Sequence, residues 1–176
     1  MRILVTGTPG SGKTTLVNYA NRMGDTNFID TDDTKGLCEW RDFNTGEVLG
    51  LVEEIKITGT DDWYKKHGWY WRESKIMELC NDNPNIIICG SSENIVEFYK
   101  VFDKIIILRK NEEVLIQNLN SPERSNPFGK TTKQRSGFMK WQKYLIDEAK
   151  PFNPLYIDTN DIERVYLSIK DCIESK

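Results

Sequence analysis

The sequence predicts an α/β domain in which helices cover both faces of one parallel sheet. Three observations carry that prediction. Short apolar runs alternate along the chain with segments whose apolar residues recur at helical spacing. The first of these runs leads straight into "GTPGSGKTT", a glycine-rich turn that opens a helix. The length, 176 residues, suits one domain with a substantial core.

Ile3, Leu4 and Val5 read as a buried first strand, and Leu16, Val17 and Ala20 mark a helix from Gly12 to about Met23. Four further strands are expected at Phe28–Ile29, Ile86–Cys89, Lys104–Leu108 and Leu155–Ile157. Helical patterns cover Arg72 to Cys80, Ile95–Val101, Glu112–Leu119, Thr132–Ala149 and Asp161–Ile173. In the last, Ile162, Val165, Tyr166, Ile169 and Ile173 repeat at helical spacing after a polar start at Asp158 to Asp161. Strands alternating with helices imply a doubly wound parallel sheet, and ligands of such sheets bind beyond the carboxyl ends of the strands. Two stretches break the alternation. Asp32 to Trp71 is long, polar and aromatic-rich, too long for a passive connector. Asn120 to Lys133, "NSPERSNPFGKTTK", reads as a mobile excursion between two helices.

The segment Gly7 to Thr14 matches G-x-x-x-x-G-K-[ST], the Walker A pattern, between a strand and a helix. Such a loop turns backbone N–H groups inward at a helix N-terminus that already carries partial positive charge. Gly7, Thr8, Pro9, Gly10, Ser11, Gly12, Lys13, Thr14 and Thr15 are therefore the expected nucleotide-phosphate contacts. Lys13 would reach the β- and γ-phosphates, and the Thr14 hydroxyl would ligate Mg²⁺. The run "FIDTDD" closes the second strand. In an extended chain Asp30 and Asp32 project to the same side. One carboxylate can hold the Mg²⁺ water shell while the other orients or deprotonates an acceptor hydroxyl. Helix capping and turn chemistry are the alternative use of such aspartates.

The formal net charge of −3 argues against a nucleic-acid coat or an anionic membrane as main partner, although cations gather between Lys130 and Lys150. Cys38, Cys80, Cys89 and Cys172 form no C-x-x-C pair and His67 is the single histidine, so zinc spacing is absent and reduced thiols are expected. No run approaches the ~20 apolar residues of a membrane helix. With the loop starting at Gly7, no signal peptide is expected, and a cytoplasmic protein is.

Strand, GxxxxGK[ST], D-x-D after the second strand and a basic glycine-containing segment late in the chain resemble the P-loop nucleoside and nucleotide kinases, which include adenylate and shikimate kinases. "IDTDDTKGLCEW" and "RSNPFGK" are similar to segments of the small shikimate-kinase-like ATPases. The resemblance implies a three-layer α/β/α sandwich whose five parallel strands run in the order 2-3-1-4-5. It implies a single domain over residues 1–176, with an acceptor-binding insertion at about 33–71 and a lid at about 120–133. By the same likeness Asp30 assists the metal and Asp32 faces the acceptor. Two departures stand out. The third strand ends "IIICGSSEN", with Gly90, Ser91 and Ser92 where an ordinary Walker B places an aspartate. Gln117 and Asn118 stand where related kinases carry an arginine stacked on adenine. Arg124 is the best lid arginine, with Arg135 next, and Arg109 could face the site.

Trp40, Phe43, Trp63, Tyr64, Trp69, Tyr70 and Trp71 form either a stacking surface for a planar acceptor or a satellite core under the insertion. Trp40, paired with Arg41, is the candidate acceptor contact, and His67 is assigned no chemistry. The expectation is a phosphotransferase that moves the γ-phosphate of ATP·Mg²⁺ to a small hydroxyl- or phosphate-bearing acceptor, a nucleoside, nucleotide or shikimate-like metabolite, working as a monomer or homodimer. Lys13, Asp32 and Arg124 are the expected catalytic residues, Thr14 and Asp30 the metal residues, and Asp32, Trp40 and Arg41 the acceptor contacts. The rivals are an NTP-driven switch without small acceptor, and a polynucleotide end-kinase using Lys130, Lys133, Arg135, Lys140 and Lys143.

Overall fold

The computed structural model describes residues 1–55, 60–122, 128–129 and 131–174. Strands β1 (Arg2–Thr6), β2 (Phe28–Asp30), β3 (Cys38–Asp42), β4 (Val48–Leu51), β5 (His67–Trp71), β6 (Ile86–Cys89), β7 (Lys104–Arg109) and β8 (Leu155–Asp158) build two sheets. Helices α1 (Lys13–Arg22), α2 (Asp61–Tyr64), α3 (Glu73–Asp82), α4 (Glu112–Asn120), α5 (Thr132–Ala149) and α6 (Ile162–Glu174) connect them. The central sheet has five parallel strands in the order β2-β6-β1-β7-β8, which is the expected order 2-3-1-4-5.

Alternation along β1 sorts the core into two layers. Ile3 and Val5 face Leu16, Val17 and Ala20 of α1 and Val165 and Ile169 of α6. Leu4 faces the other layer, with Ile76 and Cys80 of α3 and Leu145 and Ala149 of α5. Every residue of β6 is buried, as a strand covered on both faces must be. The Ile95–Val101 segment is a 3-10 helix, not an α-helix, and buries Ile95, Phe98 and Tyr99.

Between β2 and α3 the chain forms a second, antiparallel sheet in the order β4-β3-β5. Trp40 pairs with Trp69 and Cys38 with Trp71 across β3 and β5. The segment after β6 clasps this sheet. Asn94 accepts from the Trp71 amide and donates to the Trp71 carbonyl, both at 3.0 Å, and the Glu93 amide donates to the Trp69 carbonyl at 2.8 Å. The sheet therefore stands at the carboxyl edge of the central one, beside the β1–α1 loop.

Candidate functional site

The loop between β1 and α1 is shaped by its glycines. A Cβ on Gly7 would lie 2.6 Å from the Leu108 carbonyl oxygen, so only glycine fits where the loop leaves the sheet. Gly12 caps α1 in the left-handed region at φ 104°, and no side chain caps that helix end. The first-turn N–H groups are left to whatever anion the loop receives. Thr8 and Ser11 are buried and brace the loop from behind, the Ser11 amide donating to the Thr8 carbonyl at 3.1 Å. Lys13 Nζ donates to the Gly7 and Thr8 carbonyls at 2.7 and 3.1 Å. From α4, Asn118 Nδ2 donates to the Gly10 carbonyl at 3.0 Å and holds the outer side of the loop.

The carboxylate pair is arranged differently from the extended geometry expected of "FIDTDD". The strand ends at Asp30, and the Asp32 amide donates back to Asp30 Oδ1 at 3.0 Å. A side-chain turn, not strand alternation, sets the two carboxylates together. Asp30 is 7% exposed, and its Oδ2 is buried with no hydrogen-bond partner among the described residues. An acceptor oxygen left bare next to Asp32 fits a hydrated divalent cation, and Thr14 on the first turn of α1 lines the cleft onto which Asp32 opens. No cluster of three or more His, Cys, Asp or Glu able to hold a metal occurs among the described residues. Asp32 opens onto the cleft but has protein on its other sides. That setting, and then the Asp30 charge, push its carboxyl up to about 6, against the pull of Lys13. The place of a Walker B acid is closed: a Cβ on Gly90 would lie 1.9 Å from Thr31 Oγ1.

The loop, Thr14 and Asp32 share one cleft of about 1650 Å³, and Asp30 lies behind Asp32, not among the lining residues. Pro9, Gly10, Gly12, Lys13, Thr14 and Thr15 floor it, while Gly7, Thr8 and Ser11 lie behind that floor. Lys110, Asn118, Thr159, Asn160 and Ile162 line it from beyond β7 and β8 and from α4. Asp32, Trp40, Trp69 and Glu93 line it from the three-stranded sheet side, and Lys133, Lys140 and Trp141 come from α5. Burial also raises the Glu93 carboxyl.

Lys13, Thr14, Asp32 and Trp40 are thus brought together. Arg41 is not. Neighbours in a strand leave opposite faces, so Arg41 turns away from Trp40, binds Glu39 at 2.6 Å and stacks on the Tyr70 ring at 4.9 Å. Arg109 pairs with Asp158 at 3.3 Å and covers the Tyr156 ring, and Arg135 reaches Thr132 and Asn120, so neither lines the cleft. Arg124 and Lys130 lie outside the described residues. His67 does line the cleft, with Nδ1 3.1 Å from the Trp63 carbonyl. Sequence reasoning missed Asn118 as a brace for the loop, and Thr159 and Asn160 as a wall. The position of Thr159 just after the fifth parallel strand was the available signal.

A family model described as an AAA domain matches residues 3–133. No curated protein matches. Among solved structures, the chain is similar to the shikimate kinase of Acinetobacter baumannii in complex with shikimate, at 15% identity and a TM-score of 0.60, over 99% of this chain and 93% of that one. It is similar to the deoxyadenosine kinase of M. mycoides with bound dATP, at 14% identity and a TM-score of 0.58, over 99% of this chain and 100% of that one. The shikimate kinase of Aquifex aeolicus aligns at 15% identity and a TM-score of 0.56, over 99% and 97%. At such identities the likeness is one of fold.

Proposed function

The chain belongs to the AAA domain family, and from that premise we propose that it is an ATP-dependent phosphotransferase acting on a small hydroxyl- or phosphate-bearing acceptor. The observation that carries the reading is a single cleft lined by both the phosphate loop and Asp32, with the buried Asp30 bonded to the Asp32 amide behind it. The triphosphate lies along the amides of the loop and first turn of α1, and Lys13 exchanges its loop carbonyls for phosphate oxygens. Thr14 and Asp30 would hold Mg²⁺, which would neutralise phosphate charge. Asp32 stands on the acceptor side and orients or takes the proton of the attacking hydroxyl. Segment 33–71 forms the acceptor wall, and segment 120–133 is the lid that excludes water as a competing acceptor.

Paired substitutions test this reading. Lys13→Ala removes a charge-assisted contact to phosphate, so nucleotide affinity falls by about 10- to 100-fold while the fold persists. Asp32→Asn keeps nucleotide affinity and lowers transfer by about 10²- to 10⁴-fold. Calorimetry with an ATP analogue and a phosphate-transfer assay separate the two. Equal loss of nucleotide binding in both variants would remove Asp32 from the acceptor side. Steady ATP hydrolysis with no added acceptor, undiminished by Asp32→Asn, would make the protein an ATPase.

A further inference from the structure

We propose that the acceptor is an uncharged hydroxyl compound carrying a planar ring with hydrogen-bond donors, a nucleoside in chemical class, and that its ring enters a chamber behind Asp32. The inference rests on the phosphotransferase reading of the cleft and narrows it. The chamber has a volume of about 300 Å³ and shares Asp32, Trp40 and Trp69 with the main cleft. That volume is at the lower end for small-ligand pockets, about the size for a ring rather than a whole cofactor.

Its wall is aromatic and fixed. Trp40 and Trp69 are cross-strand partners with rings perpendicular at 5.3 Å, and Trp40, 4% exposed, is braced by Trp63 and Tyr64. Its rim is acidic. Asp32, Asp33 and Glu53 line the chamber against one cation, Lys35. A carboxylate or phosphate entering here meets three like charges, whereas a flat ring meets apolar faces and carboxylate acceptors for its N–H groups. Lys35 offsets part of the charge, and Glu53 Oε1 already accepts from the Gly36 amide at 2.8 Å. The chamber therefore suits hydrogen-bond donors better than a full positive charge. The transfer point agrees. A hydroxyl can approach Asp32, while a phosphate acceptor brings its own charge against that carboxylate. The other cations of the cleft, Lys13, Lys65, Lys110, Lys133 and Lys140, come from the loop, the end of α2, the β7 end and α5, and Lys65 is paired with Asp62 at 2.6 Å.

The test titrates the full chain, saturated with a non-hydrolysable ATP analogue and Mg²⁺, and follows tryptophan fluorescence and heat. The probes are the common nucleosides, their 5′-monophosphates, shikimate and glucosamine. At least one nucleoside should bind with quenching, at least about tenfold tighter than its monophosphate, shikimate or glucosamine. Asp33→Asn combined with Glu53→Gln should cut the nucleoside-over-monophosphate preference by about fivefold or more. Both residues are exposed, so this variant folds on independent grounds. Trp69→Leu should weaken the nucleoside and spare the analogue. A monophosphate, shikimate or glucosamine binding tighter than every nucleoside overturns the inference and leaves the phosphotransferase reading standing. Absence of nucleoside binding overturns it as well. Failure of the wild-type protein to bind the ATP analogue is read in the same titration, and it removes the phosphotransferase reading together with this one.

Discussion

Asp32 bears opposite demands from chemistry and stability. Its carboxyl, raised to about 6 from an ordinary 3.8, binds a proton more tightly in the folded protein than in the unfolded chain. The sign follows directly: this favours the folded state at pH below 3.8, and the benefit is lost as pH rises through 6. Asp32→Asn should therefore melt about 2 °C or more above the wild type at pH 8, with the gain gone by pH 4; the solvent-facing side of the group keeps the effect small. Melting curves at the two pH values check it, and a variant less stable at pH 8 would show that Asp32 is a structural group. Gly90 makes a second residue-level case. Its neighbour Thr31 lies between the two carboxylates in sequence and fills the space a side chain at position 90 would need. Gly90→Ala should cost about 1–3 kcal/mol by chemical denaturation, and it should weaken nucleotide binding by displacing the Asp30 turn. "IIICGSSEN" showed that the usual acid was missing; the reason was legible only in three dimensions, because Thr31 and Gly90 are far apart in sequence.

At the scale of elements, what could be read was what is local. Strands β1, β6 and β7 are apolar runs buried on both faces, the edge strands β2 and β8 are shorter runs of the same kind, and the helices between them repeat at their own period. The antiparallel sheet has neither signal. "HGWYW" puts glycine and aromatics where alternation should be, Val48 and Leu49 of the edge strand are exposed, and Cys38 pairs with a residue far along the chain. Its strands exist because the pairing partner and the clasp after β6 supply the bonds. Asn94 is the test of that account. It satisfies both backbone groups of Trp71, and Ser92 Oγ donates to it at 3.0 Å. Asn94→Ala strands a buried N–H and C=O together, which should cost about 2–4 kcal/mol at roughly 1–2 for each unsatisfied group. Denaturant titration measures the loss. Hydrogen exchange should rise first in β5, not in the central sheet; uniform exchange across both sheets would mean that the clasp does not support β5 separately.

Across the whole molecule, the insertion and the start of α5 meet directly, which the sequence did not suggest. Asp61 Oδ1 accepts from Gln134 Nε2 at 2.7 Å and from Thr131 Oγ1 at 3.2 Å, while Gln134 Oε1 takes the Gly129 amide at 2.7 Å. Tyr64 lies against Phe128, ring centroids 4.2 Å apart, and Phe128 against Phe138 at 4.8 Å. "NSPERSNPFGKTTK" has too few apolar residues to pack firmly by its own composition, but Phe128 and Gly129 find their partners on α2, α4 and α5. The chain just before α5 and the start of α5 are therefore tied to α2 through the Asp61 carboxylate and the Tyr64–Phe128 contact. Asp61→Ala removes both bonds to that carboxylate and touches neither the phosphate loop nor Asp32. The amide of Gly129 and the first turn of α5 should then exchange about tenfold faster or more, since each lost bond releases roughly 1 kcal/mol of local protection. Nucleotide affinity should hold, and the KM for the acceptor should rise, because the wall and the lid no longer move as one. Hydrogen exchange and transfer kinetics on the same variant decide it. Unchanged exchange at Gly129 would mean that the Phe128 packing alone holds this end closed, and a fall in nucleotide affinity would mean that the clasp supports the loop and not the acceptor side.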